Sequence, residues 1–409
     1  MDFIRITSRR QHVIWTVLLL FASLHLMAQD AQQSTDRISF AKEVAPVLRQ
    51  HCHGCHIAGQ QASGGLRMDT FAQLMQGGDS GAIINPSNSD DSLLIGKLTG
   101  QASGQRMPAG GRAPLSKQKI DLIAAWIRQG ARFDGPSQDM NIQTLIDQAW
   151  ASEASHNDLM NKRIERAQIN WKLAMPDQQP EEARSEDFYL IGNVPQARLI
   201  AILQQLQKAT AFVSKQLAAP SDQPLIRGGL VVYVLRSRYD YSEFGRMQEK
   251  RELPRGWVGH WSADAAQAYG VLLDEQSKMS HLPAVMVQIL TGAYLGSHIE
   301  VPVWFAEGIA RNLVLNQFRK NDPRVASWQQ AIQEVVSSVP DAKSLIAGQL
   351  DEETLGVAGL AITQPILSRK NRQQFNKLLT QLRTGKPFPQ AMKSTFGEPE
   401  LLIKNWLSK

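Results

Sequence analysis

Apolar positions recur at helical spacing in two stretches of the first third of the chain. Phe40, Val44, Val47 and Leu48 make one such face, with Ser39 placed to cap the helix and Lys42 and Glu43 on its wet side. Ile120, Ile123, Ala124 and Ile127 make the other, predicting a helix from Ser116 to Gln129 that stops at Gly130 and carries Trp126, expected in the core. The turn-rich run from Phe133 to Ser137 ends this unit. Residues 140–183 read as mostly helical and polar, a connector expected to pack loosely and to break at Pro176 and Pro180.

From about Arg184 the pattern changes. Asp187 to Ile191 reads as a strand, Ala197 to Leu217 as a long amphipathic helix, and Leu230 to Leu235 as a buried strand rich in β-branched residues. Ala265 to Leu273 fits a strand or a short helix. Met286 to Leu295 and Val303 to Leu313 read as apolar helices, and the tail through Phe375, Leu378, Leu382 and Phe396 as helical again. The expected organisation is therefore an export segment at 1–28, an all-α domain at 36–136, a helical connector at 137–184 and an α+β domain at 185–409.

The export segment rests on its own pattern. Arg5, Arg9 and Arg10 precede an apolar stretch from Val13 to Ala28, interrupted by Thr16, Ser23 and His25, with a cleavage point after Ala28. The alternative is an uncleaved membrane anchor. Either way the bulk of the protein is expected outside the cytoplasm, periplasmic or otherwise exported. The net charge of +6 is spread along the chain. Without a Lys/Arg run interleaved with aromatics, a nucleic-acid partner is not expected.

The two cysteines stand three apart, in His51-Cys52-His53-Gly54-Cys55-His56. A disulfide closing so short a loop adds little through chain entropy. A zinc cluster needs four ligands to converge, which a pile-up on one turn rarely allows. A redox C-x-x-C wants a preceding βαβ context, and here a helix precedes. The remaining pattern, C-x-x-C-H, is that of covalent haem c attachment: two thiols add across the porphyrin vinyl groups, and the adjacent imidazole of His56 binds the iron.

A haem that transfers electrons wants a sixth ligand, and a methionine raises the potential relative to histidine. Met107, stiffened by Pro108 and followed by Ala109-Gly110-Gly111, is the preferred candidate. Met68 and Met75 compete, Met68 reading as core because it alternates with Leu66. Gly77-Gly78 and Asn85-Pro86 read as turns closing the haem edge. In a domain with one haem the core is largely the haem surround, so Trp126 is expected there.

Residues 38–135 resemble the planctomycete-type cytochrome c domain through FAKEVAPVL, CHGCH, GGLRMD, GGDSGAIINP, SLLIGKL, MPAGG and IAAWIRQGA. The resemblance implies a c-type fold with one covalent haem and His56 and Met107 as axial ligands. Ala109 stands where the family often has a second proline.

Val301 to Ala310 is similar to the P-x-W-x-x-E-G-x-A signature of gluzincin-type metallopeptidases, in which the glutamate, here Glu307, is the third zinc ligand. That chemistry needs H-E-x-x-H upstream. One register places His281 to Val285 there, with a proline expected to damage the helix. The other suits the downstream spacing better and gives Gln288-Ile289-Leu290-Thr291-Gly292, which keeps nothing. One carboxylate cannot hold zinc, so no catalytic residue is assigned. Glu307 is expected to cap or tie the start of its helix, and His260, His281 and His298 to be scattered loop residues. The aromatic runs 239–245 and 256–261 are candidates for a binding groove. The expected function is an exported monohaem cytochrome, an electron carrier with an unidentified redox protein partner and an inactive peptidase-like binding module. A haem-regulated or redox-sensing assembly protein is the alternative, and an active metallopeptidase the third reading.

Overall fold

The computed structural model describes residues 37–59, 62–275, 281–298 and 301–408. The expected export segment lies outside them. The chain divides after Trp150 into two units, the first helical and the second mixed α/β.

In unit 1 a single π-turn over Phe40–Val44 runs into α1 (Ala45–Cys52). The Ser39 hydroxyl accepts the Lys42 N–H at 3.0 Å, and the Glu43 carboxylate accepts the Ser39 N–H at 2.8 Å, so two of the start's orphan donors are satisfied. Then come α2 (Phe71–Gln76), α3 (Leu93–Thr99) and α4 (Lys117–Arg128), the last capped by Ser116 and terminated by Gly130 at φ +98°. Phe40, Phe71, Trp126 and Phe133 stack into one aromatic cluster with centroids 4.7–6.4 Å apart. The Trp126 indole donates to the Arg132 carbonyl, which satisfies the one polar group its burial would otherwise strand. This cluster fastens α4 to the helix start. Helix α5 (Ile142–Glu153) carries the chain into unit 2.

Unit 2 begins with α6 (His156–Ala174), closed by a Ser155–Asp158 capping box. Its sheet comprises β1 (Glu181–Arg184), β2 (Phe188–Gly192), β3 (Leu230–Leu235), β4 (Gly259–Ala263) and β5 (Ala268–Leu273), in the order β1-β2-β3-β5-β4. The central three strands are parallel, and the two edges are antiparallel. Helix α7 (Gln196–Leu217) makes the crossover from β2 to β3. Strands 188–192 and 230–235 are buried at every residue because both faces are covered. Leu230, Val232 and Val234 pack with α7 on one side. Val231, Tyr233 and Leu235 pack with Met160, Ala167 and Trp171 of α6 on the other. The segment expected to pack loosely thus supplies one wall of the sheet. Its polarity reflects only its solvent face.

A short helix, α8 (Arg238–Phe244), follows β3. Beyond the sheet lie α9 (Leu282–His298), α10 (Val303–Phe318), α11 (Pro323–Ser338), α12 (Ala342–Ile346) and α13 (Glu352–Thr363), then further helices to Leu407. Residues 304–315 of α10 are buried all round, as in the core of a larger domain. Two glycines let α10 meet α13: a Cβ on Gly359 would lie 1.9 Å from the Trp304 carbonyl oxygen. Pro283 is the second residue of α9, where its missing N–H costs no bond, so the expected helix damage does not arise.

Candidate functional site

Helix α1 ends on Cys52, so both thiols and His56 emerge on the turn that follows. Gly54 makes that turn at φ +85°, a conformation L side chains rarely adopt, and its N–H bonds the Ile57 carbonyl. Segment 66–69 braces the turn from outside: the Met68 N–H donates to the His56 carbonyl at 2.8 Å, and Asp69 accepts the Ala58 N–H at 2.7 Å.

The His56 Nδ1 sits 3.1 Å from the Leu66 carbonyl oxygen. A carbonyl only accepts, so Nδ1 carries the proton and the lone pair is left on Nε2. Cys52, Cys55, His56, Met68 and Met107 line one cavity of about 290 Å³ with Ile83, Leu94 and Leu98. Met107 reaches it from a separate loop, anchored where its N–H meets the Lys97 carbonyl at 2.9 Å. Met75 does not line the cavity. Neither does Trp126, which was expected to share the haem surround and instead belongs to the aromatic cluster behind it. Gly78 lines it, whereas Asn85 and Pro86 do not. Lys97 and Arg112 are the fully charged side chains on its wall.

Both cysteines are free thiols. Burial, reinforced by neighbouring Cys55, pushes the Cys52 thiol up to about 11 against the pull of Arg112. A redox C-x-x-C needs the opposite shift. Two thiols, an imidazole with a free Nε2, a thioether and apolar walls with two cations fit a porphyrin with carboxylate arms.

In unit 2, Glu307 does not cap its helix, as was expected; Pro302 stands at that position. The carboxylate instead accepts from Gln288 Nε2, from Arg311 Nε at 2.8 Å and from Trp261 Nε1 at 2.7 Å. Arg311 also makes a two-pronged bond to Glu353 at 2.8 Å. Trp261 takes this place because Gly292 has no side chain: a Cβ there would lie 2.0 Å from the indole. Among the described residues, no three His, Cys, Asp or Glu side chains gather to hold a metal ion.

The histidines are not scattered loop residues. His260 lies on β4, bonded through Nδ1 to the Tyr241 hydroxyl at 2.6 Å and through Nε2 to Glu249 at 2.8 Å. Burial would raise the Glu249 carboxyl, but His260 and Arg251 beside it hold it down to about 2. His281 Nδ1 bonds Asp322. The His298 side chain lies outside the described residues.

A cleft of about 680 Å³ opens over this network, with Trp257, Gly259, His260 and Trp261 on its wall. The 239–245 run does not reach it: Tyr241 and Phe244 are buried in α8. No local pattern connects Glu353 to this network, whereas the four-residue spacing of Glu307 and Arg311 marks a pair on one helix face.

Unit 1 carries a cytochrome c family domain. Residues 52–110 match the Planctomycete cytochrome C family. No curated protein matches the chain.

Proposed function

We propose that the chain is an exported monohaem c-type cytochrome that transfers electrons, its haem joined to Cys52 and Cys55 and its iron ligated by His56 and Met107. The observation that carries this reading is the convergence of those four side chains on one apolar cavity, inside a span that matches a cytochrome family. The haem supplies a one-electron centre when bound. The residues do the rest. The Leu66 carbonyl takes the His56 Nδ1 and leaves Nε2 free to hold the iron, the Met107 thioether would supply the second protein ligand and so keep exogenous ligands out, and Ile83, Leu94 and Leu98 exclude water from the cavity. Of the two candidate thioethers on the wall, Met68 is tied by its backbone to His56 itself whereas Met107 comes from a separate loop, which favours Met107 as the second ligand. Export rests on the pattern of residues 1–28.

Unit 2 is read as a gluzincin-like scaffold that binds without hydrolysing. Its support is Glu307, the glutamate of the signature motif, whose carboxylate is held by three protein donors, with Gln288 and Gly292 on α9 where metal-binding histidines would stand. Haem spectra of purified chain test the first part: the reduced, native protein should not bind carbon monoxide. Metal analysis tests the second. Stoichiometric zinc that disappears in Glu307→Gln would overturn it.

A further inference from the structure

We propose that Arg106 is the positioning residue of the second haem ligand: its guanidinium clasps the loop 107–112 at both ends and so holds the Met107 thioether for the iron. This rests on the reading of Met107 as that ligand. The first observation is the clasp itself. Arg106 Nη1 donates to the Met107 carbonyl at 3.2 Å, and Nη2 to the Arg112 carbonyl at 3.2 Å. One planar group therefore bridges the two ends of the loop. Its stem runs past Gly100, the C-cap of α3, where a Cβ would meet Arg106 Cδ at 3.4 Å. The Met107 N–H meets the carbonyl of Lys97, in the last turn of that helix, at 2.9 Å. With Arg106 on its carbonyl, both main-chain groups of the ligand residue are tied, so the point from which its side chain departs is fixed.

The second observation is how little else holds the loop. Residues 108–115 make no main-chain hydrogen bond with one another or with the rest of the described backbone. Gly110 and Gly111 stand at φ +70° and +74°, and a Cβ on either would meet nothing within 4 Å. Packing does not hold this glycine tip, and the chain next enters the core at Leu115. A segment with neither a ladder nor a packed tip keeps one shape through the side chains that cross it. Arg106 crosses it. Arg112 extends the tie, its Nη1 reaching the His53 carbonyl at 3.4 Å. The clasp thus links the loop that carries Met107 to the turn between the two cysteines. Its fork matters more than its charge. Two separate carbonyls ask for two N–H groups in one rigid plane, which a guanidinium offers and the compact ammonium of a lysine does not.

The test uses the full, haem-loaded chain in its ferric state. Ferric haem shows a weak far-red absorption band when a methionine sulfur is bound, and added imidazole removes the band by displacing that sulfur. The imidazole concentration at half-loss should fall by about tenfold in Arg106→Gln and in Arg106→Lys alike. Haem content per chain should stay at the parent's level in both, since neither thiol nor His56 is touched. A half-loss concentration in Arg106→Lys equal to the parent's overturns the clasp, because charge alone would then hold the ligand. Equality in both variants overturns any part for Arg106. Either result defeats this inference and leaves Met107 in place. A parent chain without the band, or a band that persists in Met107→Ala, defeats the reading of Met107 beneath it.

Discussion

His56 gives its Nδ1 proton to the Leu66 carbonyl oxygen, 3.1 Å away, and that bond fixes which ring nitrogen faces the cavity. On the proposed reading His56 is one ligand of the haem iron and Met107 the other. Met107→Ala should keep its haem, since the thiols and His56 are untouched, but lose the ligand that closes the iron. The reduced native variant should then bind carbon monoxide, and its potential should fall. A variant that refuses carbon monoxide as the parent does would show that another side chain closes the site.

Arg311 is 2% exposed and joins Glu307 on α10 to Glu353 on α13. Removing one member of a buried ion network strands the others. Arg311→Met should therefore destabilise unit 2 by about 3–5 kcal/mol in urea unfolding, with the haem spectrum unchanged. A loss under about 1 kcal/mol would mean the carboxylates find water or each other, and that the network does not hold the helices.

Acid should loosen the same unit. Glu249 ionises at about 2 when folded, against an ordinary 4.5. Its contribution is fully present above about pH 4.5 and is lost as pH falls toward 2, on the order of 3 kcal/mol. Asp322 and Glu353, both also held low by arginines beside them despite burial, act in the same direction. Glu249→Gln should flatten the fall of the urea midpoint between pH 5 and 3. An unchanged slope would place the acid sensitivity elsewhere.

Gly359 carries the close approach of α13 to α10. Gly359→Ala places a methyl against the Trp304 carbonyl, 1.9 Å from where the Cβ would be built. The helices must separate, at a cost of about 1–3 kcal/mol in a packed interior. Gly348→Ala, where a Cβ meets nothing within 4 Å but φ is +66°, serves as the control for backbone strain alone.

Where one residue pattern decides one local structure, the sequence was readable. Leu230 to Leu235 alternates between two apolar surroundings and could only be a doubly covered strand. Ser116 and Gly130 bracket α4 by capping chemistry. The C-x-x-C-H run stated its own spacing. What escaped was tertiary. β4 is only Gly259 to Ala263, two of its residues are aromatic or histidine, and nothing local says that Leu272 and Gly270 lie opposite. Residues 156–174 look polar because a helix that covers a sheet shows only a stripe to it; Met160, Ala167 and Trp171 are that stripe. Trp126 was assigned to the haem surround because a small domain was expected to have one core, whereas Phe40, Phe71 and Phe133 give it another. Glu307 was read as a cap because a lone carboxylate on a helix has few local roles. Its partners Trp261 and Gln288 come from a strand and a helix that no spacing rule connects to it.

The central claim is covalent haem at Cys52 and Cys55. It is tested most directly by haem staining of the chain after denaturing electrophoresis, from cells that mature exported cytochromes. The parent chain should stain, and the Cys52→Ala, Cys55→Ala double variant, present in equal amount by antibody, should not. Staining of the double variant at the parent's intensity, or an unstained parent, would contradict the account.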